Sequence, residues 1–260
     1  MLTATAFIWG VTFVAQTRGM EHVGPLTFNA ARSILACAAL FVAALFFPQI
    51  GNRKAVWRAG IICGGVLAAA TALQQTGLQY TTVGRAGFVS SLYVVIVPVF
   101  EFLFFGRKTP VHIILCVFAA LLGVWLLCAD NMAGIGGGDA LILASAVLFA
   151  LHIILLSHFS PKVPIIWLAC IQFGVCAILN TAAALSFEEI TVPALFAASG
   201  SIVFAGLLSS GLAYTLQIVA LKRVNPTVAS LIFCLESVFA LFAGWVWLGE
   251  RLSGQEWTGC

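Results

Sequence analysis

LIFCLESVFALFAGWVWLGERL, residues 231–252, puts Glu236 near the middle of an apolar stretch long enough to cross a bilayer. A helix needs about 20 predominantly apolar residues to span the hydrocarbon. A carboxylate at its centre costs about 2.5–3.5 kcal/mol on insertion scales, so it faces a bundle interior or a polar cavity. What surrounds this stretch therefore decides the fold.

The whole chain is of the same kind. Of its 260 residues, 62% are hydrophobic and 8% charged, where soluble domains carry roughly 25% charged residues. This composition excludes a soluble fold and implies a polytopic membrane protein whose first partner is the lipid bilayer. The net charge of +3, with no basic tract, gives nucleic acid nothing to bind. The first apolar segment starts at Met1 without a basic leader or a small-residue cleavage site, so it is read as a span and not as a signal peptide. The eight cysteines include no CxxC pair. Without clustered thiols they read as packing residues, with no metal site or other cofactor expected.

Nine helical spans are predicted, near 2–17, 25–47, 59–79, 86–105, 111–129, 139–157, 164–186, 197–220 and 227–248. Strands would leave backbone groups unsatisfied in lipid. Lys and Arg accumulate on the cytoplasmic side. With the N-terminus inside, the inner loops hold Arg53, Lys54, Arg58, Arg107, Lys108, Lys162, Lys222 and Arg223, and the outer loops only Arg18, Arg85 and Arg251. The acidic loop residues Glu21, Asp130, Asp139, Glu188, Glu189, Glu250 and Glu256 all fall outside. The expected location is the cell (inner) membrane, multi-pass, with a cytoplasmic N-terminus.

The chain also repeats itself. WGVTFVAQ at 9–16 aligns with SAVLFALH at 145–152, placing Phe13 over Phe149, and the proline of PLTF at Pro25 falls over that of PIIW at Pro164. IVPVFEFLFFGRK, ending at Lys108, aligns with the stretch ending at Arg251 if four residues are missing from the first copy. That register puts Val97 over Glu236 and Glu101 over Ala240. Five spans per repeat is an odd number, so the second copy must be inverted, an architecture that recurs in secondary transporters with the substrate near the midplane.

WGVTFVAQ, PLTFNAARSILACA, LYVVIVPVF and LESVFALFAGWVWLGERLS together resemble the drug/metabolite transporter superfamily, and most closely its EamA-type permeases. The resemblance covers essentially the whole chain. It implies an all-α integral membrane fold of ten helices in two inverted five-helix repeats, 1–130 and 139–260. It also implies uptake or export of small metabolites, often amino acids, by alternating access. Two departures stand out: Arg107 replaces an acidic residue in the first repeat, and the chain stops at SGQEWTGC, where the tenth helix is expected to begin.

The polar residues inside the spans are the candidate substrate contacts. Glu236 and Arg32 both fall deep in their spans, at depths that allow them to meet. Trp9, Phe13 and Gln16 share one face of the first span, and Ser145, Phe149 and His152 the matching face of the sixth. Tyr93, Val97 and Glu101 share a face of the fourth span, Gln75 and Gln79 of the third, and Tyr214 and Gln217 of the eighth. Aromatic walls with a few polar tips suit an amphipathic small molecule. Each of these residues also has a plain packing role open to it, Glu236 and Glu101 as braces between helices. Proton coupling, if present, would run through Glu236 or His152. Gly60 and Gly64 form a GxxxG that lets helices approach closely, within the bundle or at a homodimer interface. GIGGGD at 134–139 follows a span and no strand, so it reads as a flexible outer connection and not a phosphate loop. Pro98 marks a bend in the fourth span.

The reading is thus a permease and not an enzyme. His22, His112, His152 and His158 are scattered, and no nucleophile–base or metal spacing emerges. The alternatives are a non-transporting membrane sensor or assembly protein and, further off, a membrane enzyme acting on a lipid-linked substrate. One buried arginine is too few for a phosphate-ester carrier.

Overall fold

The computed structural model describes residues 1–47, 52–106, 109–128, 136–249, 254 and 258, and among them every regular element is helical. Arg107, Lys108, Asp130, Gly134, Glu250, Arg251 and Glu256 lie outside the described residues, as does most of the stretch expected to open a tenth helix. In chain order the helices are α1 (Leu2–Met20), α2 (Pro25–Leu45), α3 (Arg53–Leu78), α4 (Val83–Ser91), α5 (Tyr93–Phe105), α6 (Val111–Cys128), α7 (Gly137–Phe159) and α8 (Ile165–Phe187). There follow α9 (Val192–Ala197), α10 (Ser199–Val203), a π-helical stretch (Phe204–Ala213), α11 (Tyr214–Leu221), α12 (Pro226–Phe233) and α13 (Leu235–Leu248).

Among the described residues, seven segments are long and apolar enough to cross a membrane: Pro25–Leu45, Arg53–Leu78, Val83–Phe105, Gly137–Phe159, Ile165–Phe187, Ser199–Leu221 and Pro226–Leu248. Of the other two anticipated spans, α1 is diluted by its threonines, Gln16 and Arg18, and α6 is apolar over Val111–Leu122, as far as its side chains are described without a gap. Apolar side chains such as Phe41, Phe102, Leu115, Phe118 and Ile178 cover the outside. Water would penalise each by about 25 cal/mol per Å² left exposed. The chain is a multi-pass membrane protein. Exposed Phe46, Phe47 and Trp57 lie at one end of the bundle, and exposed Tyr80, Phe187, Phe196 and Trp247 at the other.

The main core joins α2, α3, α7 and α8 with α5, α11 and α12. The GxxxG of α3 is used inside the chain. A Cβ on Gly60 would sit 2.4 Å from Ile171, and one on Gly64 2.7 Å from the Gln172 carbonyl, so both glycines admit α8. The glycine run before Asp139 is not a loose connection over its described part. Residues 137–139 open α7, and the Gly136 N–H donates to Asp139 Oδ2 at 2.8 Å. Asp139 also takes a 2.8 Å ion pair from Arg85, across the two halves of the chain.

The spans 83–105 and 226–248 are both broken midway. Three-residue bonds, Leu92 N–H to Val89 O and Val95 N–H to Leu92 O, mark the first break. Pro98 lies beyond this break, inside α5, where its ring removes only the bond to the Val94 carbonyl. The second break, at Cys234, has Ser237 N–H donating to Cys234 O. Both spans have 23 residues and both end on a left-handed glycine, Gly106 (φ 63°) and Gly249 (φ 69°), a cap that other residues adopt at a cost of about 1 kcal/mol. Their starts, Val83 and Pro226, and their closing glycines are each 143 residues apart. The four missing residues expected from the alignment are therefore not missing. In this register Tyr93, and not Val97, corresponds to Glu236.

Candidate functional site

Tyr93 and Glu236 are each the eleventh residue of their 23-residue spans, which places both about 15 Å along the helix and near the bilayer midplane. They line one cavity, immediately beside the two helix breaks. α1 adds Trp9, Thr12, Phe13 and Gln16, α2 adds Arg32, and α3 adds Gln74. The second half supplies Phe149 and Ile153 from α7, Ser209 from the π-helical stretch, and Tyr214 and Gln217 from α11. Both halves of the chain thus build the walls.

Close packing fixes this geometry. Gly10 lies where α1 meets α13, and a Cβ there would sit 2.5 Å from Phe239 Cβ and 2.7 Å from the Glu236 carbonyl. The Ser237 hydroxyl donates to the Gly87 carbonyl at 2.9 Å and also bonds Ser91, fastening α13 to α4 one residue beyond Glu236. Trp9 packs at a tilt against Tyr214 at 4.9 Å and Phe233 at 5.2 Å, and Phe173 meets Tyr214 edge-on at 5.4 Å. The rings form a rigid apolar wall. Against it stand two charges. Arg32 and Glu236 are 4% and 5% exposed, and among the described residues neither has an ion-pair partner. The buried Trp9 Nε1 and Gln217 Oε1 likewise find no hydrogen-bond partner there. The cavity measures about 40 Å³.

Eight of the eleven candidate residues meet here: Trp9, Phe13, Gln16, Arg32, Tyr93, Tyr214, Gln217 and Glu236. Three do not. Gln75 is fully buried off the cavity, and its neighbour Gln74 takes the lining position with Nε2 donating to Ser90 at 2.9 Å. One residue is 100° of helix rotation, which side-chain type alone does not resolve. His152 is turned toward α8, its Nε2 3.2 Å from Gln172 Oε1 and its ring behind Tyr214 at 6.1 Å. Ile153 lines the wall instead. Glu101 lies away from the cavity, accepting from Thr227 Oγ1 at 2.5 Å and Asn225 Nδ2 at 3.2 Å.

Thr12, Gln74 and Ser209 are the polar lining residues the sequence reading missed. Thr12 was within reach, three residues from Trp9 and four from Gln16 on the same face. Ser209 was not, because a π-helical stretch abandons the 3.6-residue period by which faces are assigned.

The fold and the two-sided cavity define a helical membrane transporter, and similarity to known proteins agrees. The model of the EamA-like transporter family matches residues 1–129 and again 136–260. The chain belongs to the EamA-like transporter family. An uncharacterized transporter of Archaeoglobus fulgidus is 27% identical over 99% of this chain and 80% of its own length. The uncharacterized transporters YoaV and YwfM of Bacillus subtilis are 22% and 24% identical, covering 97% and 98% of this chain and 89% and 86% of theirs. A protein of known crystal structure superposes with a TM-score of 0.81 at 19% identity, covering all of this chain and 91% of that one, which speaks to the fold alone.

Proposed function

We propose that the chain is a secondary transporter of small organic metabolites, with amino acids or related amphipathic compounds as its cargo. The observation that carries this reading is the placing of two opposite charges, Arg32 and Glu236, unpaired with each other in one aromatic-walled cavity. Buried charges without an ion-pair partner are strongly destabilising. A zwitterion supplies both partners, its carboxylate to Arg32 and its ammonium to Glu236, while its side chain packs on the rings of Trp9 and Tyr214.

The size of the cavity supports alternating access. About 40 Å³ holds little more than water, whereas metabolite pockets run to roughly 300–1,000 Å³. Cargo enters only if the halves part. In this reading 1–130 and 139–260 are inverted repeats that rock about the cavity, and the protein sits in the cell (inner) membrane with its N-terminus in the cytoplasm.

The test is flux of labelled amino acids into proteoliposomes, with and without a pH gradient. Saturable uptake that Arg32→Gln lowers about a hundredfold is expected, the usual scale for truncating a buried charge pair. Loss of only the gradient-driven component in Glu236→Gln would mark that carboxylate as the coupling group. Uptake that neither substitution lowers would sink the reading.

A further inference from the structure

We propose that Glu188 and Glu101 are opposed positioning residues of the transport cycle, each holding one end of the bundle shut. Glu188 follows α8 in the second half and reaches the start of α2 in the first. Its Oε1 accepts from Leu26 N at 2.9 Å, and its Oε2 from Thr27 N at 2.8 Å and Thr27 Oγ1 at 2.7 Å. The first turn of a helix has backbone N–H groups with no internal partner and a positive dipole end, so a carboxylate is well matched to it. Gly24 makes the approach possible, since a Cβ there would lie 2.3 Å from the Glu188 carboxyl carbon.

Glu101 does the converse. It belongs to α5 in the first half and reaches the start of α12 in the second, bonding Asn225 Nδ2 and Thr227 Oγ1. Asn225 is itself the cap of α12, its Oδ1 accepting from Thr227 N at 2.8 Å and Val228 N at 3.4 Å. Glu101 therefore grips that helix through its cap.

The two contacts are reciprocal. Each half gives one carboxylate and receives one on a helix that begins with proline, Pro25 or Pro226, and bears a threonine in its first turn. They also lie at opposite ends of the bundle. Successive spans alternate in direction, so α2 starts at the end where α1 and α8 finish, and α12 starts at the other, where α11 finishes. The cavity lies between them. Parting the halves at one end must break that end's contact while the other can persist. Both contacts are made here, and the cavity is nearly closed. Hydrogen bonds to a charged acceptor are roughly twice as strong as neutral ones, enough to weight a two-state equilibrium without locking it.

This inference rests on the alternating-access reading, and its test separates the two. Ser209→Cys, on the cavity wall, is placed in the full-length chain in vesicles of defined orientation. It is labelled with a membrane-impermeant maleimide from one side or the other and read by mass spectrometry of its peptide. Glu188→Ala is expected to raise labelling from its own end relative to the other by roughly tenfold, and Glu101→Ala to do the reverse. The double variant should return the ratio to within about twofold of the parent. Two braces that merely stabilise the fold would not cancel. Glu188→Gln and Glu101→Gln, which keep the volume and lose the charge, should give smaller shifts of the same signs if an alanine variant fails to fold. Shifts toward the same end, or no shift, would overturn the assignment of the two carboxylates alone. A parent labelled from one end only under every condition would overturn alternating access, and the paired contacts with it.

Discussion

The broken spans 83–105 and 226–248 are built alike and used differently. They share a length of 23 residues, a break at the centre and a left-handed glycine at the close. Yet the eleventh position is Tyr93 in one and Glu236 in the other. The first span carries its acid eight residues later, at Glu101, where the matching position of the second is Gly244. One acid faces the cavity and the other is held by Thr227 and Asn225 at the bundle's end. The backbone repeat sets where a side chain can stand, and residue chemistry sets what it does there.

The sharpest way to break this comparison is at Gly10, which lets α1 lie against α13 at the level of Glu236. Gly10→Val would drive side-chain atoms into the Phe239 Cβ and the Glu236 carbonyl. Overpacking on this scale costs about 3 kcal/mol. Loss of monodisperse protein on size exclusion is the expected outcome, and a normal elution and melting curve would show that the contact is looser than described. Next in size is an exchange of the two eleventh residues. Glu236→Tyr alone should cut amino-acid flux about a hundredfold, and adding Tyr93→Glu should recover about tenfold of that, since the carboxylate returns to the same cavity from the equivalent position. No recovery would mean that the two positions are not interchangeable. The smallest effect comes from the closing glycines. Gly106→Ala and Gly249→Ala should each cost about 1 kcal/mol for a left-handed Cβ. The two should lower the melting temperature in detergent by similar amounts, and unequal shifts would show that the two ends are differently supported.

The bundle and most of the cavity were legible because a charge in an apolar span is costly enough to announce itself. Arg32 and Glu236 stand out for that reason, and Trp9, Gln16 and Gln217 follow from helical spacing. Two other features were not legible. Rotation within a helix is one, since Gln74 and Gln75 are alike in type and only packing selects between them. His152 was assigned to the cavity by its polarity, but Gln172 offers it a partner on the other side. The register of the repeat is the other. Apolar residues substitute freely for one another, so the four-residue gap improved the alignment while misplacing Glu236 over Val97. The equal lengths of the two spans, with starts at Val83 and Pro226, set it right. Glu188 read as one more outer-loop acid, and its hold on α2 depends on neighbours far apart in the chain.

Five of the membrane-crossing segments have the same length, 23 residues. Such a helix rises about 34 Å, a few Å more than the roughly 30 Å of hydrocarbon in a typical bilayer. Lipids with short acyl chains must then tilt these helices, and long-chain lipids let them stand upright. Because the five segments of equal residue number come from both halves, a change in bilayer thickness leans on the whole bundle at once. The rings of Phe46, Phe47 and Trp57 at one rim and of Tyr80, Phe187 and Trp247 at the other are its grips on the two interfaces. The membrane is in this sense a mechanical frame for the protein as well as its solvent.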